Sequence, residues 1–91
     1  MNNYKNEILE KICYTKLVYG RIKKKLNIEF SNDKVEELIL AIILKTDETD
    51  FQKIGKNIYI TNNDENIKLT INSNTNRIIT ADKLNRKAMN L

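Results

Sequence analysis

The sequence predicts an α+β fold, N-terminal helices packed on a C-terminal four-stranded antiparallel β-meander, and three observations carry that reading. Apolar residues recur at helical spacing as far as Lys45, they alternate with polar ones after Phe51, and clusters of Asn, Asp and Gly separate the alternating runs. A chain of 91 residues can bury one hydrophobic core and not two. We therefore expect a single domain over residues 1–91, with a helical part at about 3–45, a sheet part at about 51–82 and a short tail at 83–91.

In the first segment Tyr4, Ile8 and Ile12 follow helical steps until Cys13, Tyr14 and Thr15 interrupt them. Thr15 is a candidate cap for a second helix, in which Leu17, Val18, Ile22 and Leu26 form an apolar strip beside a cationic one of Arg21, Lys24 and Lys25. Whether residues 3–26 make one helix or two is left open by the pattern. The next helix is better marked. Ser31 is a good N-cap, Phe30 can staple onto Val35, Asp33 and Glu36 suit the positive end of the dipole, and Val35, Leu38, Ile39, Ile42 and Ile43 make a buried stripe. The acidic run Thr46 to Asp50 ends it.

Strands are then expected from Phe51, around Tyr59, over Ile67 to Ile71 and over Arg77 to Ala81. Turns fall at Gly55 to Asn57, at Asn62 to Glu65 and at Asn72 to Asn76. The tail adds a short helix or frays. The expected core contains Ile12, Ile22, Leu26, Leu38, Ile39, Ile42, Ile58, Ile60, Leu69 and Ile71.

Composition removes several functions. Apolar residues at 41% and charged ones at 31% fit a folded soluble domain, and no apolar run approaches the roughly 20 residues that span a bilayer. The N-terminal residues lack the apolar stretch of a signal peptide, so a cytoplasmic location and no membrane partner are expected. Without histidine, and with Cys13 alone, neither a disulfide nor an ordinary zinc site can form within the chain. Cys13 reads as a small core residue. Two glycines, Gly20 and Gly55, supply no phosphate loop, and Asp47, Glu48 and Asp50 lack the spacing of a calcium loop. No cofactor is expected. The net charge of +4 invites a polyanion partner, but the abundance of Lys, Asn and Ile also matches AT-rich codon usage.

The runs Cys13-Tyr14-Thr15 with Leu17-Val18-Tyr19, Gly55-Lys56-Asn57 with Tyr59-Ile60, and Leu69 to Thr75 with Arg77 to Leu84 resemble an uncharacterised family of small proteins of low-GC Gram-positive bacteria, domain-of-unknown-function family 3781. The resemblance extends over nearly the whole chain and brings no activity with it. At the level of fold, helices followed by a sheet ending in Arg77-Ile78-Ile79-Thr80-Ala81 are similar to the RelE, colicin and EndoU class of small ribonucleases, which act on RNA from an open sheet face. The absence of histidine departs from the EndoU-like version.

The candidate binding residues are therefore Tyr59, Lys68 and Thr70 of the sheet's outer face, Arg77 at that face or its rim, Thr80 and Lys56, with the face that Arg77 and Thr80 occupy left open by the pattern, and second the helical strip of Arg21, Lys24 and Lys25. An aromatic ring, cations and hydroxyls can hold a protein partner or stack a base beside a bound phosphate. Two functions follow. One is a small non-catalytic binding protein, an inhibitor or regulator of the kind carried by mobile elements, acting on a protein or nucleoprotein. The other is a RelE-like, metal-independent ribonuclease or RNA-binding toxin in which Arg77 grips the phosphate, Lys68 or Lys56 adds charge and Tyr59 and Thr80 serve the oxygens. The ligand inventory makes one outcome checkable at once: elemental analysis should find no stoichiometric zinc, and the melting temperature should not move with a chelator.

Overall fold

The computed structural model describes residues 4–84. Three helices come first, α1 (Tyr4–Lys11), α2 (Val18–Leu26) and α3 (Asn32–Lys45). Strands β1 (Phe51–Ile54), β2 (Asn57–Asn62), β3 (Ile67–Asn72) and β4 (Ile78–Lys83) then pair antiparallel in chain order. This is the α+β arrangement that the change of apolar period predicts. The expectation for the tail lies mostly outside the described residues.

The segment left open by the sequence is two helices, and the cause of the break is visible. Cys13 gives its backbone to the sheet, its N–H donating to the Asn76 carbonyl at 2.9 Å and its carbonyl accepting from the Ile78 N–H at 3.0 Å. A parallel bridge between Cys13 and Arg77 results. A residue bonded sideways to a strand cannot continue the i to i−4 ladder of a helix. Thr15 is not the side-chain cap of α2: Leu17 holds the cap position without a side-chain bond, and Thr15 offers only its carbonyl to Val18 N–H at 3.2 Å. Cys13 is exposed, which corrects its reading as a core residue. Its thiol reaches the Thr75 and Asn76 carbonyls at 3.6 and 3.7 Å.

Helix α2 ends in a paired set of turns, with Ile28 N–H on the Lys23 carbonyl and Asn27 N–H on the Lys24 carbonyl, and Asn27 takes the left-handed conformation at φ 58°. Helix α3 begins as the sequence predicts, Ser31 Oγ accepting from Lys34 N–H at 3.2 Å. Phe30 stays 40% exposed. Asp47 caps a short 3₁₀ turn, Glu48–Asp50, that leads into β1.

The core joins Ile8 of α1, Val18, Ile22 and Leu26 of α2, Val35, Ile39, Ile42 and Ile43 of α3, and the inward residues of the sheet from Phe51 to Ala81. Ile12 and Leu38, expected inside, are only half-buried and pack on its margin. Ile12 follows the last turn of α1, and Leu38 borders a groove beside Phe30, so neither is enclosed on all sides. The last strand starts at Ile78 and continues to Lys83, later than expected at both ends. Within it Ile71 faces Ile78 while Thr70 faces Thr80, so Ile79 is the extra residue of a bulge. The bulge resets the alternation, which lets Ile78 and Ala81 both point into the core.

Helix and sheet are tied by a buried polar link. Thr46, which ends α3, donates its hydroxyl to the Ile42 carbonyl at 2.6 Å and accepts from Asn62 Nδ2 of β2 at 2.9 Å. Asn62 Oδ1 in turn accepts from Glu65 N–H at 2.8 Å and holds the β2–β3 turn. Lys5 of α1 closes the same corner, its ammonium donating to the Leu44 and Thr46 carbonyls at 3.0 and 2.8 Å. Replacing Thr46 by Val keeps the shape and strands the buried Asn62 amide. We expect Thr46→Val to cost about 1–3 kcal/mol in a denaturant unfolding experiment, with an unchanged m-value.

Candidate functional site

The sheet register sorts the candidate residues. Tyr59 of β2 lies opposite Thr70 of β3, and Thr70 opposite Thr80 of β4, so the three form one row across the outer face. Lys68 starts the neighbouring row opposite Thr61, and its ammonium stands 5.5 Å from the centre of the Tyr59 ring. The Tyr59 hydroxyl accepts from Asn57 Nδ2 at 3.3 Å. With Gln52, Ile54 and Thr61 these two side chains line a shallow dish of about 410 Å³. Ile54, at the end of edge strand β1, is 57% exposed.

The hydroxyls expected beside them are covered. Thr70 is 7% exposed, and the Thr80 Oγ1 is buried without a hydrogen-bond partner among the described residues. Thr70 lies between Tyr59 of β2 and Thr80 of β4, and Thr80 sits on the edge strand beside it. Neither offers an open hydroxyl to a ligand. Lys56 sits in the β1–β2 turn after Gly55, which has φ +62°, and its carbonyl accepts from Ser73 N–H at 2.7 Å. It is exposed at the end of the sheet and does not line the dish.

Arg77 lines a different surface. The Cys13 bridge holds its backbone at the outer side of β4, the Asn72 N–H donates to its carbonyl at 2.9 Å, and its own N–H donates to Thr75 Oγ1 at 3.3 Å. Its side chain borders a hollow of about 250 Å³ at the start of α2, together with Arg21, Thr15, Leu17, Val18, Ile78 and Ile79. Two arginines assigned by sequence to separate surfaces thus share one. The helical strip is correspondingly divided: Lys25 pairs with Asp82 at 3.1 Å, and Lys24 is exposed in the last turn of α2, where a cation suits the helix dipole.

One cluster escaped the sequence reading. Tyr14 and Tyr19 stack with ring centres 5.4 Å apart and planes 10° from parallel, and the Tyr19 hydroxyl donates to Glu36 Oε2 of α3. The hydrogen bond to Glu36, reinforced by burial and by the charges of Glu36 and Asp33, pushes the Tyr19 phenol up to about 12. Burial, then the charge of Glu36 and the neighbouring Tyr19, raises Tyr14 as well. A five-residue spacing across a helix break gave no sign that the rings would meet.

Among the described residues no group of three or more Cys, Asp or Glu side chains is gathered as a metal site, and no helix is long and apolar enough to cross a membrane. Residues 6–82 match the family described as "Protein of unknown function (DUF3781)". No curated protein and no solved structure matches the chain.

The Tyr19–Glu36 bond has a consequence for pH. The unfolded phenol ionises near 10 and the folded one near 12, so the folded state binds more protons in that interval. Its contribution to stability is complete below pH 10 and is lost as pH rises towards 12. Urea unfolding across this range should show falling stability, with a shallower fall in Tyr19→Phe, and tyrosinate absorbance should reveal a late-titrating group that the variant lacks.

Proposed function

We propose that this chain, which belongs to the DUF3781 family, is a small non-catalytic binding protein that holds a protein or nucleoprotein partner on the outer face of its sheet and acts as an inhibitor or regulator of it. The observation that supports this reading is the Lys68 ammonium over the Tyr59 ring beside the exposed Ile54. An aromatic ring with a polar tip, a cation and an aliphatic group in one shallow dish are the residue types that anchor protein partners.

The same geometry weighs against RNA cleavage. That chemistry needs a proton acceptor, a phosphate clamp and a proton donor converging on one phosphate. Arg77 borders the hollow with Arg21, while Tyr59 lines the dish. Lys68 stands over the face of the Tyr59 ring, and the Tyr59 hydroxyl accepts from Asn57 Nδ2. The arrangement favours recognition over proton transfer.

The test is induced expression in a bacterial host with bulk RNA followed on gels, alongside affinity capture by the wild type and by Ile54→Ser/Tyr59→Ala/Lys68→Ala. We expect intact RNA and a partner retained by the wild type and lost by the variant, with circular dichroism showing the variant folded, since Ile54 is exposed and Tyr59 and Lys68 are half-buried on the outer face of the sheet. RNA fragmentation that disappears with Tyr59→Ala would establish the ribonuclease in its place.

A further inference from the structure

The hollow at the start of α2 has a composition that its position in the fold does not require. Its two arginines have no ion-pair or side-chain hydrogen-bond partner among the described residues, and no acidic residue lines it. The first turn of α2, which opens onto it through Val18, also lacks an acid. Two cations bordering one concavity at the positive end of a helix favour an anion there. The rest of the lining is aliphatic: Val18, Ile78 and Ile79, with Leu17 82% exposed at the rim.

We propose that this hollow binds a carboxylate borne next to an apolar side chain on a segment of a partner protein. The planar forks of Arg21 and Arg77 match the two oxygens of a carboxylate, and Leu17 and Ile79 cover the neighbouring apolar group. A nucleic-acid phosphate satisfies the charge but leaves the aliphatic wall facing a sugar or base, and the hollow has no aromatic ring on which a base would stack. The backbone around the site is fixed. Arg77 is held by backbone bonds to the Cys13 loop on one side and to Asn72 on the other, and the bulge at Ile79 turns an additional aliphatic side chain to the same wall. This inference concerns a surface separate from the sheet dish and does not depend on it.

Calorimetric titration with an acetylated pentapeptide of alternating leucine and glutamate tests it, with the leucine–glutamine counterpart and oligouridylate as comparisons, and amide shifts mapping the contact. The glutamate peptide should saturate the protein and shift Leu17, Arg21, Arg77 and Ile79. Arg21→Gln and Arg77→Gln should each weaken binding by about ten-fold, and Arg77→Lys, which keeps the charge without the fork, should weaken it as well. Lys24→Gln should leave it unchanged, and circular dichroism should show every variant folded. Absence of saturable binding to the millimolar range, equal binding of the glutamine peptide, or indifference to both arginine substitutions would overturn the proposal. Tighter binding of oligouridylate, lost with the same substitutions, would overturn it in favour of a nucleic-acid site.

Discussion

The pairing of the Cys13 backbone with the start of β4 is the constraint on which the rest of the molecule depends. Two hydrogen bonds, Cys13 N–H to Asn76 and Ile78 N–H to Cys13, stop the first helix, set the origin of the second and occupy the outer edge of β4. An uncovered strand edge is a template for aggregation, and here the α1–α2 connection closes it at one end of the strand. The same bonds bring Arg77 beside the beginning of α2. Were α1 and α2 continuous, Arg21 and Arg77 would have no reason to meet.

That pairing rests on a conformation few residues tolerate. Asn76 stands at φ 58° and is 7% exposed, with its N–H on the Asn72 carbonyl and its side-chain amide towards Glu7 Oε2 at 3.4 Å. The other non-glycine residues with positive φ among the described residues are Asn27 and Asn66, one ending α2 and one preceding β3. Asparagine enters the left-handed region more readily than other residues with a side chain, because its short polar arm bonds locally. In a chain with only two glycines, asparagine does at these three turns what glycine does elsewhere. The abundance of Asn therefore has structural uses whatever supplied it.

The helix stripe of Val35 to Ile43 and the alternation of Ile58, Ile60, Leu69 and Ile71 were legible because burial on one face imposes a period on the sequence itself. Ser31 was legible for a similar reason, since a cap satisfies a local N–H three residues away. Long-range pairings leave no such trace. The Cys13 loop meets residues more than sixty positions later, and nothing in either segment's periodicity encodes that meeting. Tyr59 and Lys68 could be assigned to one face from alternation alone, whereas the bulge at Ile79 breaks the alternation just where Arg77 and Thr80 had to be assigned. The sequence left open which face Arg77 and Thr80 occupy, and the altered count put one on the rim of a hollow and buried the other's hydroxyl.

The charges sort in a way that the net value of +4 conceals. Lys5 is spent on the end of α3, Lys25 on Asp82, Lys45 on Glu65 at 2.8 Å and Lys68 on the Tyr59 ring. Lys68 belongs to the dish proposed to hold the partner, but Lys5, Lys25 and Lys45 serve the fold or its immediate surface, and a partner gains little from them because each already has an interaction to lose. Arg21 and Arg77 have none among the described residues. Arginine is also the less common base here, three residues against thirteen lysines, so its double occurrence at one hollow is not what a lysine-biased composition supplies by default. A diffuse basic field would attract any polyanion in a salt-dependent manner. A pair of unspent guanidinium forks against an aliphatic wall selects instead for shape, and shape of that kind belongs to a side chain on a protein partner.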